Sequence, residues 1–386
     1  MITLFTLGSF IILYAKYLKV LYYKYFIFNV IFSFFILSIA LLEVIILKDN
    51  TLFVMPDEQF YYHEAQNSFH EIFQEHSRYL LYILLSYLNF NVGGAFNLKI
   101  QSLGFVLLTL LLIYDYTKRK EVFLLFPLVF PYLYHLSTFN LRDPLIIFLV
   151  LLFILILSRT QKLFFIIVST TCFFVFLYIR PEFSILFMVV CSWRALKFLN
   201  IGIGIKSLLF ICCFIFFIFV LYIDTFANLF LPSFISDRVL FYLAERSMEV
   251  SNIPFLNSNM TSFIRQLLTP FPTSKINMLI YDGIQLDGNL LFKELYRISL
   301  MTFVYLMFFL IIINYRKAIE ILSKSLFLQL FFIFSLIITI LYSIYGDGGG
   351  STRNKIYPFL FLFILNINIF LPTPISASFV CRKTNT

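Results

Sequence analysis

Long apolar runs alternate with short polar turns over almost the whole chain, and the turns sort by charge. The run from Ile2 to Tyr14 is followed by Lys16, Lys19 and Lys24, and the next, Tyr25 to Leu47, holds one charged residue, Glu43. At about 1.5 Å per residue, a helix of that second length crosses a hydrocarbon core of roughly 30 Å. Further runs follow at Phe96–Tyr114, Val122–Thr138, Pro144–Ser158, Leu163–Tyr178, Phe183–Trp193 and Ser207–Ile223, then near 299–314, 326–345 and 356–371. Tyr79 to Phe90 is too short to cross and is expected to stop at Asn91-Val92-Gly93-Gly94. Basic groups recur at Lys118-Arg119-Lys120, Arg159 with Lys162, Arg194 with Lys197 and Lys206, Arg316 with Lys317 and Lys324, and Arg382-Lys383. Cytoplasmic turns carry the excess of lysine and arginine, so these turns are placed inside.

The turns between them are then external. The first external loop, 48–78, has acids at Asp49, Asp57, Glu58, Glu64, Glu71 and Glu75, while its basic residues are Lys48 and Arg78. Its apolar positions 60, 61, 65, 69, 72 and 73 fall roughly on one helical face. That pattern predicts an amphipathic helix on the membrane surface from Asp57 onward. A large external loop covers 224–298, and Gly346 to Arg353 forms another external turn. The expected fold is an all-α polytopic membrane protein: a single integral membrane domain over 1–386 with ten to eleven transmembrane helices. The first run lacks the basic start and small-residue cleavage site of a signal peptide. It reads as a short extra span or an interfacial helix.

Composition agrees. The chain is 61% hydrophobic and 13% charged, with mean hydropathy +0.93, more apolar surface than a soluble domain could hide. The net charge of +9 follows from the cytoplasmic turns and does not imply nucleic acid as a partner. Cys172, Cys191, Cys212 and Cys213 lie in apolar runs and Cys381 in the tail, without the spacing of a metal site or disulfide framework.

Candidate chemistry gathers on the external side. Asp57 and Glu58 stand at the start of the surface helix, where the positive helix end favours ionised carboxylates. A carboxylate held there can accept a proton from a sugar hydroxyl as a general base; its bland alternative is a helix cap. In Asn140-Leu141-Arg142-Asp143-Pro144, the proline makes Asp143 a natural N-cap. Arg142 beside a span is costly unless it snorkels or binds something. Arg180-Pro181-Glu182 breaks an apolar stretch, with mutual ion pairing as the plain reading. Arg238, Arg246 and Arg265 in the long loop, with Arg353, suit an anionic ligand, because guanidinium forks match phosphate and diphosphate. Other patterns fail. His63-Glu64 and His70-Glu71 lack the second histidine of a zinc-protease helix, and the 346–350 glycine run lacks the ending of a phosphate-binding loop. Asn259-Met260-Thr261 matches an acceptor sequon, a pattern common by chance.

The external Pro56-Asp57-Glu58 followed by Tyr61 resembles the membrane-embedded GT-C glycosyltransferases, a superfamily likeness shared with polymerases of O antigen and capsule. Tyr79 to Leu85, Phe126-Pro127 through Ser137, Leu141 to Leu145, and Thr352-Arg353 through Pro358-Phe359-Leu360 are similar to later parts of that pattern. Residues 25–200 carry most of the likeness, and 350–370 adds some. The resemblance implies a polyprenyl-phosphate- or diphosphate-linked sugar donor and a glycan acceptor, with Asp57 acting on the acceptor and Glu58 as its auxiliary. It departs from many members in lacking a C-terminal soluble domain, which leaves acceptor recognition to the long loop.

The expected function is therefore an integral-membrane glycosyltransferase in surface-polysaccharide assembly, a repeat-unit polymerase or else a single-sugar transferase, in a bacterial inner (cytoplasmic) membrane. Arg142, Asp143, Arg180, Glu182, Arg238, Arg246, Arg265 and Arg353 would form the substrate site. No metal ligand set is assigned, and a divalent cation stays open as a cofactor. Expected partners are the bilayer, the lipid-linked donor, the acceptor and other polysaccharide-assembly proteins. The rival class is a flippase or other transporter, with ionisable residues deep in the bilayer on broken helices; a third is a non-enzymatic scaffold.

Overall fold

The computed structural model describes residues 2–47, 56–64, 66, 80–139, 141–198, 291–345 and 352–371, and these form helices joined by turns. In chain order the helices are α1 (Ile2–Tyr17), α2 (Lys24–Leu47), α3 (Pro56–Glu64), α4 (Leu80–Thr117), α5 (Val122–Val129), α6 (Pro131–Ser137) and α7 (Asp143–Arg159). They continue with α8 (Lys162–Ile179), α9 (Pro181–Lys197), α10 (Leu291–Ile313), α11 (Tyr315–Lys324), α12 (Leu326–Tyr345) and α13 (Thr352–Phe370). The long loop, with Arg238, Arg246 and Arg265, lies outside the described residues, as do Asn140 and the 346–350 glycine run.

The core is built on α4. Its stretch from Leu98 to Thr117 is almost wholly buried, packed by α1, α5, α6, α7, α8 and α13. Gly104 allows the closest approach: a Cβ there would stand 2.7 Å from Leu7 Cδ2 of α1. The expected stop at Asn91 to Gly94 is corrected, since α4 is one helix of 38 residues. Each mid-helix glycine opposes this by only about 1 kcal/mol relative to alanine.

Prolines set the breaks that do occur. Val122 to Thr138, expected as one outward span, is two short helices meeting at Phe130, because Pro131 has no N–H to continue the ladder. Asn29 fastens α2 across that break: it accepts the Tyr134 hydroxyl at 2.6 Å and donates to the Phe123 carbonyl. Pro181 likewise ends α8 at Ile179, and α8 and α9 fold back on each other as a hairpin, with Phe176 stacked on Phe187 at 4.6 Å. At the end of α1, Lys19 takes φ 60°. There Val20 N–H bonds Ala15 O at 2.9 Å and Lys19 N–H bonds Lys16 O at 3.0 Å, a Schellman closure without glycine.

Three described helices are long and apolar enough to cross a membrane: Leu98–Thr117, Lys162–Ile179 and Leu295–Ile313. The pair α11–α12, bent by 109°, adds a fourth if it is a single broken span. Leu7–Tyr17, Lys24–Ile39 and Lys355–Phe370 are shorter apolar helices. On α8, Leu163 is 81% exposed and Ile166 71%, an apolar face that water would not tolerate and hydrocarbon would. The architecture is all-helical among the described residues and compatible with a helical membrane protein.

Candidate functional site

Charged side chains collect at two ends of the bundle. At the basic end, α4 finishes with Asp115, which meets Arg159 of α7 at 2.9 Å and also pairs with Lys118. At the opposite end, some 24 Å away along α4 at about 1.5 Å per residue, the charges are buried. Lys99 of α4 is 3% exposed, donates to the Thr138 carbonyl at 3.1 Å, and sits 5.8 Å from the Phe139 ring centroid.

The sequence after Thr138 turns directly into α7. Asp143 is its first residue and Arg142 holds the N-cap position with no side-chain cap bond. The expectation that Asp143 is the N-cap is corrected. Its carboxylate instead meets Arg180 Nη1 at 3.4 Å, and the two side chains are only 10% and 6% exposed. Arg180 can reach it because the backbone between α8 and α9 is extended there. The residue before a proline is kept out of the helical region, so the break that Pro181 imposes also aims the guanidinium inward. The guanidinium lies 4.9 Å over the Phe183 ring, and Phe183 packs edge-on against Tyr357 at 5.5 Å and Phe334 at 5.6 Å. Lys355, on the same helix as Tyr357, is 1% exposed. His135, fully buried on α6, has Phe139 and Tyr296 rings at 5.2 Å each.

The expected site residues divide as follows. Arg180 and Asp143 are brought together. Arg180 therefore pairs with Asp143, whereas the plain reading paired it with Glu182, whose side chain is outside the described set. Arg142 donates to the Ile179 carbonyl at 3.1 Å, closing the end of α8 with a cation where the helix dipole favours one. Arg353 lies in the first turn of α13, with its side chain undescribed. Asp57 and Glu58 lie in the first turn of α3 as expected, also without described side chains. That helix packs on α4 through Tyr61 and Tyr82, ring centroids 4.8 Å apart. Tyr82 precedes Lys99 by about 25 Å along the helix axis, so α3 stands well beyond the ion pair.

Sequence reasoning missed Lys99, Lys355 and His135. Lys99 carried a readable signal: a cation just inside an apolar run is expensive in a bilayer and marks a site to inspect. Among the described residues, no three His, Cys, Asp or Glu side chains gather as metal ligands. What this end offers chemically is one buried carboxylate–guanidinium pair with further buried cations in an apolar setting, and such cations suit a phosphate oxygen. No family model matches the chain, and neither a curated protein nor a solved structure matches it.

Proposed function

We propose that the protein is an integral-membrane glycosyltransferase that uses a polyprenyl-phosphate- or diphosphate-linked sugar in surface-polysaccharide assembly, acting as a repeat-unit polymerase at an inner membrane. The observation behind it is the buried Asp143–Arg180 pair with Lys99 and Lys355 buried at the same end of the bundle. Burying such groups in an apolar bundle is costly, and guanidinium and ammonium donors stabilise a phosphate leaving group best in a dry site. Arg142, Arg353 and the long-loop residues Arg238, Arg246 and Arg265 would extend that binding, and Glu182 would orient the donor.

Asp57 takes the acceptor proton in this reading, with Glu58 beside it. At transfer the acceptor hydroxyl and the donor phosphate lie one sugar apart. The reading therefore requires the α3 end to close toward Arg180 when donor is bound. Asp57→Asn is nearly isosteric and should lower polymer formation by about 10²–10⁴-fold at normal protein level. Normal polysaccharide from that strain would remove Asp57 from catalysis.

A second reading, a lipid-oligosaccharide flippase, is favoured by the same buried charges at a broken helix pair. Gel analysis of surface polysaccharide in a deletion strain separates the two. A ladder collapsed to one repeat unit supports the polymerase; complete loss supports the flippase or an earlier transferase.

A further inference from the structure

The basic end holds a feature that the glycosyltransferase reading does not use. Helix α11 (Tyr315–Lys324) meets α12 at a bend of 109°, so with α12 across the bilayer α11 lies close to the membrane plane. Its three faces are distinct. Ala318 is buried, and Ile321 and Leu322 pack on the core. Tyr315 (52% exposed) and Ile319 (63%) form an apolar strip beside Ile312 and Ile313 at the end of α10, which are also exposed. Arg316, Glu320 and Lys324 follow one another at four-residue spacing on the remaining, exposed face. A strip of apolar side chains bordered by a charged stripe is how a helix lies in an interface.

The helix is held in that attitude from both ends. Lys317 donates to the Ile369 carbonyl at the end of α13. Gln329 Nε2 donates to the carbonyls of Leu322 at 3.1 Å and Ser323 at 2.7 Å. Ser325, just after α11, exchanges a 2.7 Å hydrogen bond with Tyr116 of α4. The Arg316 Nε–H donates to the Tyr315 hydroxyl at 3.0 Å, which stations the guanidinium at the boundary between the apolar strip and the charged stripe. Lys324 pairs with Glu320 at 2.5 Å, and both side chains are exposed.

We infer that α11 is an interfacial helix whose Tyr315–Ile319 strip sits in the acyl region of the leaflet at the basic end, and whose Arg316 and Lys324 bind the phosphates of anionic phospholipids there. The occupant follows from the combination. A soluble anion would need the cations without the apolar strip, and a neutral lipid would need the strip without the cations.

The full chain in nanodiscs tests this with a Trp193→Phe background, so that one introduced tryptophan reports. Ile319→Trp should be quenched by lipid brominated near the headgroup, and Glu320→Trp, on the charged stripe, should not. Equal quenching at both positions, or none at either, overturns the placement. In mixed micelles, phosphatidylglycerol should raise the unfolding temperature more than phosphatidylcholine does. Each of Arg316→Gln and Lys324→Gln should weaken the apparent phosphatidylglycerol affinity about fivefold. An unchanged affinity in both variants overturns the headgroup contact. A stabilisation reproduced in full by soluble glycerol phosphate would mean a phosphate site without lipid, and also overturns it.

Discussion

At the basic end Asp115, itself 8% exposed, meets Arg159 and Lys118 with the cation side chains 48% and 57% exposed, whereas Asp143 and Arg180 are both buried, at 10% and 6%. The first arrangement leaves its cations about half exposed, and Asp115 keeps one cation when the other is lost, so losing either should cost about 1 kcal/mol. Its work is fastening: Asp115 joins α4 to α7, and Arg194 joins α9 to the carbonyls of Leu157 at 3.1 Å and Thr160 at 2.7 Å. The second arrangement has lost its hydration. A pair that is costly to bury needs another reason for being there, either to fix one packing of α7 against α8 and α9 or to meet a ligand. Charge at the two ends thus meets different surroundings, half-exposed cations at one and a buried pair at the other.

The largest effect should come from breaking one pair at each end. Arg180→Met leaves Asp143 buried without its Arg180 partner and should destabilise by about 3–5 kcal/mol. Arg159→Met at the basic end should lose about 1 kcal/mol. Thermal unfolding of both variants in one detergent measures the difference, and equal losses would erase the contrast between the ends.

A sharper version adds Asp143→Leu to Arg180→Met. Replacing both members of a buried pair by apolar residues should recover most of that loss, or exceed it by about 1–4 kcal/mol. If the pair serves a ligand, the restabilised double variant still makes no polymer. Recovered polysaccharide would reduce the pair to a packing device.

A control for burial without charge lies between the ends. Gly104→Leu drives a side chain into Leu7 and should lose about 1–3 kcal/mol. On the opposing helix, a Cβ added at Gly8 would meet nothing within 4 Å, so Gly8→Ala should gain up to about 1 kcal/mol. The smallest effect concerns backbone strain at the basic end. Lys19→Gly should stabilise by about 1 kcal/mol by relieving a left-handed lysine. Lys118→Gly, also at positive φ, should gain less because it gives up the contact to Asp115. The same melts check all four.

The sequence disclosed whatever depends on near neighbours. Basic turns ended helices where expected, α3 began one residue before Asp57, and Arg180-Pro181 broke the apolar stretch. Partners distant along the chain were hidden. The four residues from Asn140 to Asp143 read as a cap motif, and only the return of α8 to the same level brings Arg180 to Asp143. The glycines at 93 and 94 read as a stop because local propensity was the available guide; the structure keeps them helical. Arg238, Arg246 and Arg265 rested on composition alone and lie outside the described residues, so their part in the site stays with the proposal.

The length of α4 has a mechanical consequence. At 38 residues it extends about 57 Å, nearly twice a hydrocarbon core. The lower half is locked in the core by its neighbours, and the upper half rises past Lys99 with α3 attached near its tip. Its two arms are nearly equal, about 30 Å from Leu98 to Thr117 and about 27 Å from Leu80 to Asn97. A tilt of about 10° at the clamp would swing the tip by about 5 Å over a reach of roughly 27 Å. Small repacking around Gly104 would therefore register, amplified, as displacement of the acidic turn that begins at Asp57.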